Sequence, residues 1–182
     1  MENFNVPTRE EVSTENQAIF DNLKSQVGFV PNLYATMAYS ESALGDYLAF
    51  QGSKTSLSNK EKEIVNLIVS EVNGCNYCLS AHTAIGKMNG FTEEQTIELR
   101  QGQASWDSKF DALVKLSKEV TENKGKVNSE TLEAFFAASY TKGTLVDVIK
   151  QVGDKVVMNY LHNLTNIPID FPVAKKLELV NG

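Results

Sequence analysis

The stretch SNKEKEIVNLIVSEVNGCNYCLSAH, Ser58 to His82, decides how the chain folds. Ser58 and Glu61 form a capping-box signal: a serine hydroxyl can accept the third amide of a helix while the glutamate reaches back to the serine's own amide. Ile64, Val65, Leu67, Ile68, Val69 and Val72 follow. They are apolar around most of a helical circumference, the pattern of a helix buried on nearly all sides. Asn73-Gly74 stops it, and a second helix is expected from Cys75–Asn76 to about Gly90. Both cysteines of the chain therefore sit at the start of a helix that follows directly on a buried one.

Working outward, the helical period continues in both directions, and no strand alternation or hairpin signal interrupts it. Asn89-Gly90 follows a helical pattern and reads as a stop. Helices are expected near Thr14–Val27, in "GFVPNLYATMA" with Pro31 in a first turn, from a Ser40 cap to about Ser53, and from the Thr92–Gln95 capping box to about Gln101. Further segments are Lys109–Asn123, Glu130–Ala138 and Thr144–Leu164, the last two separated by "SYTKGT". The reading is all-α, roughly eight helices in one domain over 1–182. A core around the cysteines would occupy about 40–105, with C-terminal helices and a tail over 106–182. The tail "NIPIDFPVAKK" holds two prolines and is expected to be extended. Its Ile167, Ile169 and Phe171 are costly to leave in water, so it should pack on its own core or across a subunit interface.

The charge balance narrows the function classes. There are 23 acidic against 17 basic side chains, a formal charge of −6, and the lysines are scattered. Such a surface argues against nucleic-acid binding, which needs a basic face. No apolar run is long enough for a membrane span. The opening "MENFNVPTREEV" is polar and acidic rather than signal-like, so the expected compartment is the cytoplasm. Thiols there are kept reduced, and a cysteine pair is more often catalytic or metal-binding than structural.

Cys75, Cys78 and His82 are spaced i, i+3, i+7 and share one helical stripe. A helix N-terminus has unpaired amides and positive potential, which favours a thiolate. His82, one turn beyond Cys78, is placed to hydrogen-bond it or exchange a proton with it. A nucleophilic sulfur, a second thiol to close a disulfide and a nearby base suit redox chemistry. The alternatives are weaker. A zinc site wants four ligands, and there is no second cysteine pair. A structural disulfide across so short a loop removes little chain entropy. A thioredoxin-like motif needs a βαβ setting that this sequence lacks. Glu63 shares its helix face with Asn66, Leu67 and Ser70, and reads either as an exposed helix carboxylate or as one serving a buried site. His162 is expected to be a hydrogen-bonded core or interface histidine, Trp106 a packing anchor and Glu71 a solvated helix-end residue.

The spacing Glu63, Cys75, Cys78, His82, centred on "CNYCLSAH", resembles the alkylhydroperoxidase D-like proteins of the carboxymuconolactone decarboxylase superfamily. "GFVPNL" ahead of the core helices and "NYLHNLTNIPIDFP" near the end look like the longer, peroxidase-related branch, so the likeness covers most of the chain. The resemblance implies that all-α fold, an obligate homo-oligomer (trimer or hexamer) and thiol-dependent peroxidase activity. Cys78 would be the peroxidatic thiol and Cys75 the resolving one, and His82 with Glu63 would carry a proton relay. No cofactor would be bound beyond a redox-active Cys75–Cys78 disulfide. Electrons would come from an external dithiol, a lipoyl-bearing or a thioredoxin-like partner, and the substrate would be a hydroperoxide. The family's relay histidine before the second cysteine is here Tyr77, either a relay or substrate contact or a packing residue; a phenol is a poor base near neutral pH. A disulfide reductase or redox-sensing module using the same pair is the alternative, with a metal protein behind it and lactone decarboxylation least favoured.

Overall fold

A computed structural model describes residues 4–177. Among these residues a short 3-10 turn at Arg9–Glu11 precedes nine α-helices: α1 (Thr14–Val27), α2 (Asn32–Met37), α3 (Ala43–Gln51), α4 (Asn59–Val72), α5 (Asn76–Met88), α6 (Glu93–Gln101), α7 (Ser108–Glu122), α8 (Ser129–Ala137) and α9 (Lys142–Thr165). No strand occurs among the described residues.

The expected caps are where the sequence puts them. Ser58 accepts the Glu61 amide and Glu61 answers from its side chain. Thr92 and Gln95 do the same for α6. Three details differ from expectation. The described helices number nine rather than roughly eight. α3 starts at Ala43, so Ser40 accepts the Ala43 amide from just outside the helix. α9 begins two residues early, because Thr141 and Thr144 form a capping box that the Lys142-Gly143 pair had obscured.

α4 is the hub. Ile64, Val65, Leu67, Ile68 and Val69 are fully buried, and the helix packs against α5, α6, α7 and α9. On one side Leu99, Leu113, Leu116, Phe135 and Val148 close an apolar cluster around it. On the other, α2, α3 and the end of α9 bring Leu33, Leu44, Tyr47 and Met158 over the cysteines. Each such large apolar side chain contributes about 1.5–3 kcal/mol on burial. No helix among the described residues is long and apolar enough to cross a membrane.

The break between α4 and α5 sets the site. Gly74 takes φ +64, a left-handed conformation that a β-carbon would strain. This lets the Cys75 amide bond back to the Ser70 carbonyl at 2.9 Å. Cys75 then becomes the N-cap of α5.

The tail leaves α9 through Asn166, also left-handed at φ 49, and runs without helix to Leu177. It packs on the core of its own chain. Ile167 is buried, Asp170 accepts the Asn32 amide at 2.7 Å, and the Phe171 ring meets Tyr77 and Phe29 edge-on. Beyond that, the Ala174 amide donates to Ser80 Oγ, and Arg100 donates to the Lys175 carbonyl. Residues 178–182, which the expected tail also covers, lie outside the described residues.

Candidate active site

Cys75 and Cys78 are joined as a disulfide with their Cα atoms 5.4 Å apart. Cys75 Sγ accepts the Cys78 amide at 3.2 Å, so the cap position expected to favour a thiolate is occupied by sulfur. Both are enclosed, Cys75 at 0% and Cys78 at 3% exposure.

Glu63, from α4, is buried, which settles its two readings against the exposed helix carboxylate. Its Oε1 accepts the Asn66 amide at 2.9 Å and its Oε2 lies 2.8 Å from His82 Nδ1. Burial pushes the Glu63 carboxyl up, but His82, the Lys155 ammonium and the Asn66 bond together hold it below the ordinary carboxylate value. An ionised carboxylate only accepts, so His82 carries its hydrogen on Nδ1. Asn66 Nδ2, 3.3 Å from that nitrogen, then faces a donor and bonds Glu63 instead.

The expected hydrogen bond between His82 and Cys78 is absent in this disulfide form. The other ring nitrogen, Nε2, meets Lys155 Nζ at 3.1 Å. Lys155 is itself buried at 3% exposure and pairs with its neighbour Asp154 at 3.1 Å. Gln151 Nε2 bridges Asp154 Oδ2 (3.0 Å) and Asn66 Oδ1 (2.8 Å). The result is a closed ring of side chains, Glu63–His82–Lys155–Asp154–Gln151–Asn66, drawn from α4, α5 and α9. Tyr47, on α3, faces it. Burial first, and the Asp154 charge second, raise its phenol far above neutral pH, so it stays un-ionised.

Sequence reasoning found Glu63 and His82 but missed Lys155, Asp154 and Gln151. Their only signal was placement. In α9, Gln151, Asp154 and Lys155 occupy the i, i+3 and i+4 positions that share a face with the apolar Val148, Val152 and Met158. Polar groups on an apolar face need partners, and that signal was available.

Tyr77 lies on the side of α5 covered by the tail. Its hydroxyl accepts the Leu33 amide at 3.2 Å, and its ring packs on His162 and Phe171. Burial raises its phenol well above the usual value despite the Leu33 bond. His162 is a buried core residue, its Nε2 3.2 Å from the Ile167 carbonyl, with burial lowering its tendency to protonate. Trp106 packs against the main apolar cluster, as expected of an anchor. Glu71 is not simply solvated: it pairs at 2.7 Å with Arg100, which is 4% exposed and also holds the tail. The helix end was read correctly, but the guanidinium brought up from α6 was not visible in the local sequence. Among the described residues no three His, Cys, Asp or Glu side chains converge as a metal-ligand group.

Three solved structures share the architecture. A peroxidase-related protein from Silicibacter sp. TM1040 is 20% identical, with a TM-score of 0.80 over 91% of this chain and 90% of that one. An alkylhydroperoxidase AhpD core protein, a peroxidase-related protein from Ralstonia eutropha JMP134, is 19% identical, with a TM-score of 0.82 over 92% and 91%. The debrominase Bmp8, as a cysteine-to-alanine variant in complex with 2,3,4-tribromopyrrole, is 15% identical, with a TM-score of 0.75 over 92% of each chain. At such identities the likeness establishes the fold and leaves the chemistry to the residues. Among curated proteins no sequence matches this one. Residues 38–120, from the end of α2 to the body of α7, match the model of the carboxymuconolactone decarboxylase family. That segment, which holds the cysteine pair, is thus similar to the carboxymuconolactone decarboxylase family, and an AhpD-like helical fold continues around it.

Proposed function

We propose that the protein is a thiol-dependent peroxidase that reduces hydroperoxides. The observation that carries this is the bonded Cys75–Cys78 pair at the start of α5, with His82 one turn along the same helix and paired to Glu63 from α4. In the reduced protein the Cys78 thiol gives its proton to His82, whose imidazolium form the Glu63 carboxylate stabilises. The thiolate attacks the terminal oxygen of ROOH, the O–O bond breaks, and the leaving alkoxide takes the proton back from His82 as ROH. Cys78 is then a sulfenic acid. Cys75 thiol attacks its sulfur, the S–O bond breaks, water leaves, and the disulfide forms. Overall, two thiols and ROOH give a disulfide, ROH and H2O. An external dithiol, on a lipoyl-bearing or thioredoxin-like partner, restores the thiols by exchange. No bound cofactor enters this scheme, and it suits a reducing, cytoplasmic setting.

A homo-oligomer, trimer or hexamer, belongs to the same reading. Val146, Ile149, Val157, Tyr160 and Leu164 form an exposed stripe at helical spacing along α9, which a second copy would cover.

The test is hydroperoxide consumption in the presence of a reducing dithiol. Cys78→Ser should abolish it. Cys75→Ser should stop disulfide formation and leave a Cys78 sulfenic acid that a dione reagent traps. Absence of peroxide-dependent labelling at Cys78 would reject the proposal. It would favour the second reading, a disulfide reductase or redox-sensing module, which the enclosure of both sulfurs supports.

A further inference from the structure

We propose that Lys155 is a positioning residue that parks the relay: in the disulfide form its amine occupies His82 Nε2 and keeps that nitrogen from acting as a base. This rests on the reading of His82 as the relay base.

His82 has two ring nitrogens and both are committed. Nδ1 carries its hydrogen toward Glu63 Oε2 at 2.8 Å. Nε2 lies 3.1 Å from Lys155 Nζ, so one hydrogen is shared between a ring nitrogen and an amine. A lysine ammonium only donates, and with Nδ1 already carrying its hydrogen toward Glu63, Nε2 is left as the acceptor, so the shared hydrogen belongs to Lys155. Asp154 Oδ2, 3.1 Å from Nζ, adds a negative charge on the amine side and favours the same placement. Lys155 therefore donates to Nε2 and takes up its lone pair. While its acceptor is filled, the ring cannot receive the proton that the Cys78 thiol carries once the disulfide is reduced.

The ring of side chains also contains the means of release. Asp154 Oδ1 is buried and has no hydrogen-bond partner among the described residues. The ammonium has three N–H groups, and Nε2 and Asp154 Oδ2 use two of them. A rotation at the end of the Lys155 side chain would transfer the donor from His82 to Oδ1. The carboxylate would keep its cation, and Nε2 would be free. The groups facing His82 are Glu63 and Asn66 from α4 and Lys155 from α9, with Asp154, Gln151 and Tyr47 behind Lys155. Of these only Lys155 donates to Nε2. Its loss therefore opens that site, whereas loss of the others does not.

The experiment is nitrogen NMR of histidine-labelled, oxidised protein at pH 6.5. His82 in the wild type should show a protonated Nδ1 and an unprotonated, hydrogen-bonded Nε2. In Lys155→Met, Nε2 loses its hydrogen-bond donor, and its resonance should move clearly away from the wild-type position. Asp154→Asn/Lys155→Met removes the carboxylate that the single variant leaves uncompensated, and should give the same signature if the single variant fails to fold. A protonated Nε2 in the wild type, or an unchanged His82 spectrum in a folded variant, overturns the assignment. Peroxide turnover on the same preparations separates the two proposals. The expected spectra without wild-type turnover support the Lys155 assignment and count against the peroxidase reading. Turnover with unchanged spectra rejects Lys155 alone.

Discussion

Glu63→Gln probes the ring at its most constrained link. The carboxylate accepts two hydrogen bonds, from Asn66 and from His82. A glutamine has one oxygen and one amide nitrogen. If the oxygen keeps the His82 Nδ1–H, the new NH2 faces the Asn66 NH2, donor against donor. If the oxygen keeps Asn66, His82 must move its hydrogen to Nε2, where it meets the Lys155 ammonium. Either way one charge-assisted bond, worth about 1.5–3 kcal/mol, is lost and a buried donor goes unpaired. The expected cost is about 3 kcal/mol at neutral pH. Acid should erase the difference. The folded-state carboxyl lies below its ordinary value, so its contribution is present above the unfolded-state value near 4 and is lost as pH falls through the folded one. The assay is urea unfolding of both oxidised proteins at fixed protein concentration, at pH 7 and at stepped lower pH. A gap below about 1 kcal/mol at pH 7, or one that stays constant into acid, refutes the ring as drawn.

Other substitutions test separate contacts. Tyr77→Phe removes the acceptor for the Leu33 amide and the hydroxyl that faces Asp170; it should cost about 1 kcal/mol and leave peroxide turnover within a few-fold, as measured by urea unfolding and a coupled peroxidase assay. Arg100→Gln should cost about 2 kcal/mol, less than a fully enclosed ion pair because Glu71 is partly exposed, and should speed proteolytic clipping after Thr165. Ile167→Ala, at the point where the tail enters the core, should lower stability by about 2–4 kcal/mol in thermal or urea unfolding.

Much of the fold is written in local chemistry. Ser58, Glu61, Thr92 and Gln95 declare two helix starts within four residues each, and Asn73-Gly74 declares the break that makes Cys75 a cap. Those signals are local in the chain, so local reading recovers them. The cysteine pair and His82 were legible for the same reason, because they share a helix. Glu63 was ambiguous, since its burial depends on which helices pack against α4. Lys155 and Arg100 were missed because their partners lie 73 and 29 residues away. The missing His82–Cys78 bond follows from the same blindness. Helical spacing aims the imidazole along the cysteine stripe, but a lysine from α9 takes its free nitrogen.

The tail has a consequence for the order of events during synthesis. Ala174 seals Ser80 on α5 across 94 residues, and Asp170 reaches Asn32 across 138. The helix that begins at the cysteines therefore leaves the ribosome long before its covering strap exists. Until that strap docks, the Tyr77 side of α5 stands open to chaperones, oxidants and mispairing, and closing so distant a contact is the slow, entropically costly part of folding.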